Sequence, residues 1–368
     1  MARYSTMDVC RNLCRTVAMT PPRFAVAKAL LTAALLAATP AQTLAQPVAQ
    51  SIAQSFDIQA HRGGRGLMPE NTLPAFANAL AIGVNTFELD CGITADGVVV
   101  IHHDPRLNPD TARGPDGNWL ADRGPAIHDL TYAELARYDV GRLKPGTKYA
   151  AGQPQQRAVD GTRIPRLADL FALVARSGNT SVRFNIETKI SPMERDDTVD
   201  AETFARSLVD EIRKAGMQKR ATIQSFDWRT LKISQRIAPE IPTVYLSAQQ
   251  EWFDNIGAAT PAGSAWTAGL NIREIGSVPK MVKAAGGAVW SPYHRDATPE
   301  LVRESHALGL TVVVWTVNAE ADMRALLARQ PDARVDGIIS DRPDILRRIA
   351  GGAGYALPSP SPSPSSTQ

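Results

Sequence analysis

The chain has 368 residues, of which 44% are hydrophobic and 21% are charged. This length accommodates one large domain or two ordinary ones, and the composition excludes wholesale disorder and a coiled coil. The formal net charge is +3, which suits an acidic partner such as nucleic acid only if the basic excess belongs to the folded part.

The first 45 residues have the composition of a secretory signal peptide. They contain five basic residues and one acid, then the apolar run 29–38, then small residues at the spacing of a signal-peptidase site, Thr39/Ala41 and Thr43/Ala45. The run is half the length of a membrane-spanning helix, which needs about 20 residues, so no stable membrane insertion is expected. An N-terminal core helix is the alternative, but the run has one polar residue, Thr32. We predict export, to the periplasm or as a secreted protein.

Removal of residues 1–45 changes the charge and the cysteine count. Residues 46–368 carry 35 basic and 36 acidic side chains, a net charge of −1, so no basic excess is left for nucleic acid. Cys91 is then the one cysteine of the mature chain, and an internal disulfide is excluded. Residues 46–55 are predicted to be a short linker before the folded domain.

From residue 56 to residue 350, short β-branched apolar runs alternate with helical patterns. Eight strands are predicted, at Phe56–Ala60, Thr86–Asp90, Val182–Glu187, Thr222–Ser225, Thr243–Leu246, Ala288–Ser291, Thr311–Trp315 and Gly337–Ser340. Helical periodicity fills most of the intervals, and Asn71/Thr72 are placed to cap the first helix. Buried strands that alternate with helices eight times predict an α/β fold, the (β/α)8 TIM barrel. The pattern alone is also compatible with a doubly wound open sheet.

Three segments depart from this alternation. Residues 104–163 are rich in Gly, Pro, Asp and Arg and are too long for an ordinary loop, so they are predicted to be a small insertion after the second strand region. Residues 248–277 are irregular and are predicted to form a lid or rim loop. Residues 351–368 end in Pro/Ser alternation and are predicted to be a disordered tail.

Acidic side chains collect where the predicted strands end, and in a (β/α)8 barrel the C-terminal strand ends face the active site. Glu88 and Asp90 share one face of a strand because they are two residues apart, and Glu187 ends the next strand. Three converging carboxylates repel one another unless a cation lies between them, and oxygen ligands favour Ca²⁺ or Mg²⁺ over zinc. Ion pairing of Glu88 or Glu187 with Arg62 or Lys189 is the alternative.

Histidines at strand ends complete a candidate catalytic set. His61 follows the first strand, and His102 and His103 follow the second strand region. If the strand continues through His102 and His103, their side chains point to opposite sides, so one of the two reaches the site. A pair of histidines beside a metal ion supplies a general base and a general acid near neutral pH.

Short motifs surround these residues. In chain order they are His61-Arg62-Gly63-Gly64, Pro69-Glu70-Asn71-Thr72, Glu88-Leu89-Asp90, Thr94-x-Asp96-Gly97, His103-Asp104-Pro105, Asn185-Ile186-Glu187-x-Lys189, Gln224-Ser225-Phe226, Trp315-Thr316-x-Asn318 and Asp336-Gly337-Ile338-Ile339-x-Asp341-x-Pro343. The ordered set, across residues 56–346, resembles the glycerophosphodiester phosphodiesterase family. That resemblance implies a (β/α)8 barrel with a small insertion. Two positions depart from the family pattern: Ser340 replaces the usual Thr, and His102 replaces an apolar residue.

The resemblance also implies roles for individual residues. The implied acid/base pair is His61 and His103. The implied ligands of a divalent metal, Ca²⁺ or Mg²⁺, are Glu88, Asp90 and Glu187. The implied substrate-binding positions are Arg62 and Lys189 at the phosphate and Glu70 as the site-supporting acid. Apart from the resemblance, the ring of Trp315 suits the glycerol carbons of the substrate, and core packing is the equal alternative for this residue.

Together these features predict metal-dependent hydrolysis of a small glycerophosphodiester to sn-glycerol 3-phosphate and an alcohol, by His/His acid-base catalysis. Water or a free hydroxyl of the substrate's glycerol is the nucleophile. One alternative is a lysophospholipase D or a phospholipase C-like enzyme on the same barrel, for which Trp252, Phe253 and Trp266 provide an apolar rim. Another is a non-catalytic phosphodiester-binding protein. No signal for a particular oligomeric state is present.

Overall fold

The computed structural model describes residues 55–361, so the predicted signal peptide, linker residues 46–54 and residues 362–368 lie outside the described residues. Strands β1 to β11 span, in order, Asp57–Ala60, Thr86–Ile93, Val99–Ile101, Arg183–Thr188, Ala221–Ser225, Thr243–Ser247, Gln249–Gln250, Phe253–Asp254, Val289–Pro292, Thr311–Val314 and Gly337–Ser340. Helices α1 to α11 span Leu73–Ile82, Tyr132–Leu135, Lys148–Ala151, Leu167–Arg176, Ala201–Lys214, Trp228–Ile237, Ile272–Ile275, Val278–Ala284, Pro299–Ala307, Glu320–Leu327 and Pro343–Gly352.

Eight of the strands form a closed parallel barrel, which confirms the predicted fold. Around the barrel they follow the order β1, β2, β4, β5, β6, β9, β10, β11. The last strand, β11, pairs with β1, which also pairs with β2. Gln59 of β1 therefore lies opposite both Ile339 of β11 and Thr86 of β2. This closure excludes the open sheet. The largest difference from the predicted bounds is in β2, which continues past Asp90 to Ile93.

Apolar side chains of the strands pack outward against the surrounding helices. The rings of Phe87 in β2 and Phe184 in β4 lie 6.0 Å apart, and Phe171 of α4 meets Phe184 at 5.0 Å. Because side chains alternate along a strand, these outward rings leave the neighbouring inward positions at the strand ends to polar residues. No helix within residues 55–361 has the length and apolar character that crossing a membrane requires.

The predicted insertion lies between β3 and α4 and has a small core of its own. Its buried members are Val100, Leu107, Ala112, Ile127, Leu135, Val140 and Ile164. The short strand β3 pairs antiparallel with the end of β2, a hairpin that the pattern of barrel strands did not predict. The second irregular segment, 248–277, contains the hairpin β7–β8 and the single turn α7.

The predicted disordered tail needs correction for residues 351–361. The helix α11 ends only at Gly352, and the ring of Tyr355 packs 5.0 Å from Phe56. Leu357 packs against the barrel core, and the backbone N–H of Ser361 donates a hydrogen bond of 3.0 Å to the Leu80 carbonyl. This part of the chain packs on the barrel because it carries two large apolar side chains, Tyr355 and Leu357. The prediction of disorder rested on the Pro and Ser content and did not take these two side chains into account.

Candidate active site

A cavity of about 670 Å³ lies at the C-terminal ends of the barrel strands and collects the predicted site residues. Those that line it are His61, Arg62, Glu88, His103, Glu187, Lys189 and Trp315. The other two lie directly behind this surface: Asp90 is in contact with Lys189, and Glu70 is in contact with Arg62. All the predicted site residues therefore belong to one site.

A tight turn after β1 presents His61 and Arg62 to the cavity. Three consecutive residues adopt left-handed backbone conformations, Arg62 (φ 52°), Gly63 (φ 80°) and Gly64 (φ 90°). A side chain at Gly63 would also place its Cβ 2.9 Å from Ala75 Cβ, so the position requires glycine. The left-handed backbone conformation of Arg62 is uncommon for a residue with a side chain. Backbone strain of this kind clusters at functional sites.

The acidic cluster consists of Glu88, Asp90 and Glu187. Each offers a carboxylate oxygen within 4.8 Å of the other two, and all three are buried. The strand register explains this, because Asp90 of β2 lies opposite Glu187 of β4. Burial and the two neighbouring carboxylates raise the pKa of Glu88 well above its usual range, and burial raises the pKa of Glu187 to about 7. Three crowded oxygen donors of this kind fit a hard divalent cation.

The two predicted phosphate-binding cations border this cluster. Lys189 Nζ lies 2.9 Å from Glu187 Oε1 and 3.8 Å from Asp90 Oδ1, and Arg62 Nε lies 3.4 Å from Asp90 Oδ2. Burial opposes the ionised form of Asp90, but the neighbouring positive groups outweigh it and hold its pKa below the usual range. The ion pair between Glu187 and Lys189, the predicted alternative to a metal site, is therefore present. Both side chains of this pair nevertheless line the cavity.

Glu88 is held in place by two neutral donors. The backbone N–H of Arg62 donates a hydrogen bond of 2.9 Å to Glu88 Oε2, and Gln224 Nε2 donates one of 2.6 Å to Glu88 Oε1. Both donors orient the carboxylate without adding a compensating charge. This arrangement is typical of a metal ligand, whose oxygens are oriented by a surrounding shell of hydrogen bonds.

His61 is oriented by a buried carboxylate from the last strand end. Its Nδ1 lies 2.5 Å from Asp341 Oδ1, and its Nε2 lies 4.0 Å from Glu88 Oε2. Asp341 is fixed in turn by Asn318 Nδ2 at 2.7 Å and by Arg65 Nε at 2.8 Å. Burial lowers the pKa of His61, and the Asp341 carboxylate acts in the opposite direction. The contact with Asp341 engages Nδ1 and leaves Nε2 for chemistry.

His103 has an equivalent arrangement at the start of the insertion. Its Nδ1 lies 2.6 Å from Asp104 Oδ1, and Asn108 Nδ2 donates to the other oxygen of Asp104 at 2.7 Å. Burial, followed by the charges of Arg62 and Lys189, lowers the pKa of His103 to about 4. His103 lines the cavity, whereas the neighbouring His102 lies outside it and is buried.

The insertion contributes a tyrosine to the site. Tyr149 of α3 donates a short hydrogen bond to Glu70, and its hydroxyl oxygen accepts bonds of 3.1 Å from Arg62 Nη1 and from Arg65 Nη1. Arg62 Nη1 also donates to Glu70 Oε1 at 2.8 Å. Glu70 therefore supports Arg62 from behind, as the resemblance implies for a site-supporting acid, and the insertion supports both.

Replacement Tyr149→Phe is expected to raise KM for a phosphodiester by roughly tenfold, because it removes hydrogen bonds to charged groups that position Arg62. The effect on kcat is expected to be smaller, since the reacting atoms are untouched. Steady-state kinetics measure both constants. Tyr138→Phe is the matched control, because Tyr138 lies in the same insertion and the bonds to Arg62, Arg65 and Glu70 are made by Tyr149. An unchanged KM in Tyr149→Phe would contradict the positioning role.

The site residues that were not assigned a role from the sequence include Asp341, Asp104, Gln224, Tyr149 and Arg65, the last of which lines the cavity one residue after the motif His61-Arg62-Gly63-Gly64. Three of these residues belong to the motifs quoted above: Asp341, Asp104 and Gln224. The motifs predict that these residues lie near the site, but they do not predict the contacts with His61, His103 and Glu88. Tyr149 carried no signal, because it belongs to an irregular segment whose position over the barrel depends on the tertiary fold.

A closed (β/α)8 barrel with an acidic cluster, two carboxylate-bound histidines and two cations at its C-terminal end suits the hydrolysis of phosphate esters. The sequence profile of the Glycerophosphoryl diester phosphodiesterase family matches residues 61–345. The chain belongs to this family, and it is an enzyme with glycerophosphodiester phosphodiesterase activity.

Individual relatives agree with this assignment. A glycerophosphodiester phosphodiesterase of Caldanaerobacter subterraneus subsp. tengcongensis is 28% identical over 287 residues, which cover 78% of this chain and 94% of that protein. A crystal structure from Silicibacter pomeroyi DSS-3, named after the same family, is 36% identical with a TM-score of 0.72 and covers 82% of this chain and 95% of its own. A phosphodiesterase from Oleispira antarctica, crystallised with the product sn-glycerol-3-phosphate, shares the fold at a TM-score of 0.57 and 23% identity and covers 80% of this chain and 96% of its own.

Proposed function

We propose that the enzyme cleaves glycerophosphodiesters to sn-glycerol 3-phosphate and an alcohol with the help of Ca²⁺ or Mg²⁺ and with His61 and His103 as proton-transfer groups. One observation carries this proposal: both rings line the cavity beside the acidic cluster, and each has its Nδ1 bonded to a carboxylate. This arrangement is typical of histidines that transfer protons at Nε2.

Different residues of the site have different roles in the proposed reaction. Arg62 and Lys189 bind the phosphate oxygens and neutralise the charge that hinders attack on a phosphodiester. Glu88, Asp90 and Glu187 would hold a divalent ion, which would supply further charge neutralisation at the phosphate. One histidine removes a proton from the attacking hydroxyl, and the other protonates the departing alcohol oxygen. Attack by water gives sn-glycerol 3-phosphate directly. Attack by a hydroxyl of the substrate's glycerol gives a cyclic phosphate, which a water molecule then opens to sn-glycerol 3-phosphate with the two histidines in exchanged roles.

A second candidate function is favoured by the aromatic residues of segment 248–277. Trp252, Phe253 and Trp266 line the cavity, as the lysophospholipase D or phospholipase C-like alternative requires. The non-catalytic alternative is disfavoured, because both histidines and all three carboxylates are present in one site. Incubation with several glycerophosphodiesters, with and without a chelator, tests the proposal through release of glycerol 3-phosphate. Absence of product from all of them with either metal added would reject it.

Asp341→Asn is expected to lower kcat by at least about 100-fold, because an amide does not hold His61 in the required tautomer as a carboxylate does. It is also expected to shift the pH profile. The Asp341 carboxylate raises the pKa of His61, so its removal lowers that pKa. The limb of the rate profile that reports His61 therefore moves to lower pH, whether the ring acts as base or as acid. A lower kcat with an unmoved profile would indicate a structural defect instead.

For the location of the enzyme, we propose export to the periplasm or secretion. The proposal rests on the basic, apolar and small-residue regions of residues 1–45. Expression of the full chain followed by N-terminal sequencing of the mature protein tests it. A mature chain beginning at residue 42 or 46 is expected, and a cell-associated protein that retains residues 1–40 would reject export.

A further inference from the structure

A series of hydrogen-bonded side chains leads from the acidic cluster into the interior of the barrel. The amide of Gln224, which donates to Glu88, accepts at its oxygen a hydrogen bond of 2.9 Å from Asn185 Nδ2. Asn185 Nδ2 donates a second bond, of 3.0 Å, to Gln59 Oε1. Gln59 Nε2 donates in turn to Asp57 Oδ2 at 2.9 Å. These three amides, the amide network, connect the carboxylate of Glu88 with that of Asp57.

The amide network ends at the face of the barrel opposite the active site. Asp57 is the first residue of β1, and its Oδ1 accepts a hydrogen bond of 2.7 Å from Thr86, the first residue of β2. Arg183, the first residue of β4, lies 2.8 Å from the same oxygen, and its side chain is 51% exposed. Asp57 is therefore anchored where the strands begin, whereas Glu88 lines the active-site cavity.

The three amides occupy positions that are usually apolar. Gln59, Asn185 and Gln224 are 4%, 2% and 1% exposed, inside a barrel of the type that is normally filled by Val, Ile and Leu. Burial of an amide costs free energy unless its polar atoms are bonded. Each of the three has both its oxygen and its nitrogen bonded, since Thr222 Oγ1 donates to Asn185 Oδ1 at 2.8 Å. A fully bonded buried network specifies one arrangement of its members.

The carboxylates at the two ends set the direction of every amide. An ionised carboxylate only accepts hydrogen bonds, so Glu88 and Asp57 each require an N–H donor. Gln224 and Gln59 therefore turn their NH2 groups to the carboxylates and their oxygens to Asn185. The NH2 group of Asn185 has two protons and supplies one to each oxygen. Reversal of any one amide would bring two oxygens into contact, so the three orientations depend on one another.

We propose that Asn185 and Gln59 are positioning residues of the metal site. The proposal rests on the proposed function, in which Glu88 is a ligand of the divalent ion. Asn185 holds the Gln224 amide with its N–H toward Glu88, and the bond from Gln59 holds Asn185 in turn. Without either residue, the Gln224 amide is free to turn its oxygen toward Glu88. That oxygen would repel the ionised carboxylate that metal binding requires.

Calorimetric titration of the enzyme with Ca²⁺ and with Mg²⁺ tests the proposal. Metal affinity is expected to fall by about 10- to 100-fold in Gln224→Met, the range for a group that bonds a metal ligand directly. The expected loss is roughly tenfold in Asn185→Leu and roughly threefold in Gln59→Met, because each residue lies one hydrogen bond further from Glu88. All three replacements remove the polar atoms and keep a side chain of similar size.

Gln235→Met is the matched control. Gln235 is a half-buried glutamine of α6, outside the barrel interior, and it donates hydrogen bonds to Thr243 and Tyr245. Its replacement is expected to leave metal affinity unchanged. The rate at saturating metal separates positioning from a structural defect. The kcat of Gln59→Met is expected to return to that of the unmodified enzyme as the metal concentration rises, whereas a misfolded fraction lowers the rate at every concentration.

The unmodified enzyme gives a second measurement that needs no variant to fold. Metal addition is expected to shift the side-chain amide NMR signals of all three residues of the amide network and to leave that of Gln235 in place. Unchanged metal affinity in folded Asn185→Leu and Gln59→Met, or a shift confined to Gln224, would overturn the proposal and leave the proposed function intact. An unmodified enzyme that binds neither ion rejects the metal-dependent function, and the positioning role with it.

Discussion

Replacement of His61 or His103 by alanine is expected to lower kcat by about 10²- to 10⁴-fold, the range that a positioned acid or base contributes. Each ring lines the cavity, and each is held at Nδ1 by its own carboxylate, Asp341 for His61 and Asp104 for His103. Loss of either ring removes a proton-transfer group from one step of the same reaction. The double variant is therefore expected to be little worse than the poorer single variant.

Initial rates of glycerol 3-phosphate release from glycerophosphocholine measure this effect. His128→Ala is the matched control, because His128 belongs to the insertion and lies outside the active-site cavity. Circular dichroism and thermal unfolding confirm that each variant is folded. Substantial activity in a folded His61→Ala, His103→Ala double variant would disprove the histidine mechanism while leaving the family assignment intact.

Removal of the divalent metal is expected to abolish activity, and Asp90→Asn or Glu187→Gln is expected to weaken metal binding by more than about 100-fold. The magnitude follows because changes in groups that only orient a metal ligand already cost 10- to 100-fold. The three buried carboxylates offer oxygens within 4.8 Å of one another, so the loss of one donor leaves too few charges to compensate a desolvated divalent ion.

Chelator treatment followed by addition of Ca²⁺ or Mg²⁺ measures recovery of activity, and calorimetry measures affinity directly. Glu194→Gln is a suitable control, because Glu194 is an exposed acid that lines the cavity outside the cluster. A bound metal is also expected to raise the unfolding temperature of the unmodified enzyme and not that of Glu187→Gln. Full activity in an exhaustively chelated enzyme would disprove the metal requirement.

The sequence by itself determined the number and order of the parallel strands and the identity of the chemical groups, whereas closure of those strands into a barrel was implied by the family resemblance and not by the pattern. Eight short apolar runs separated by helical periodicity define the strands locally, since alternation and burial are properties of neighbouring residues. The placement of Glu88, Asp90 and Glu187 on inward positions follows from the same alternation, and the structure brings them together. Motif order placed both histidines, and with them the family, before any contact between residues was known.

Tertiary structure alone decided how those groups are oriented and what surrounds them. The bond between His61 and Asp341 joins residues 280 positions apart, and it exists because closure of the barrel sets the last strand beside the first. Tyr149 reaches Glu70 from an insertion with no regular pattern, and Tyr355 packs on Phe56 from a segment whose composition suggested disorder. The rings of Phe226, Trp252 and Trp315, which line the cavity, likewise come from separate loops. Such contacts depend on long-range packing, which local propensity and periodicity do not encode.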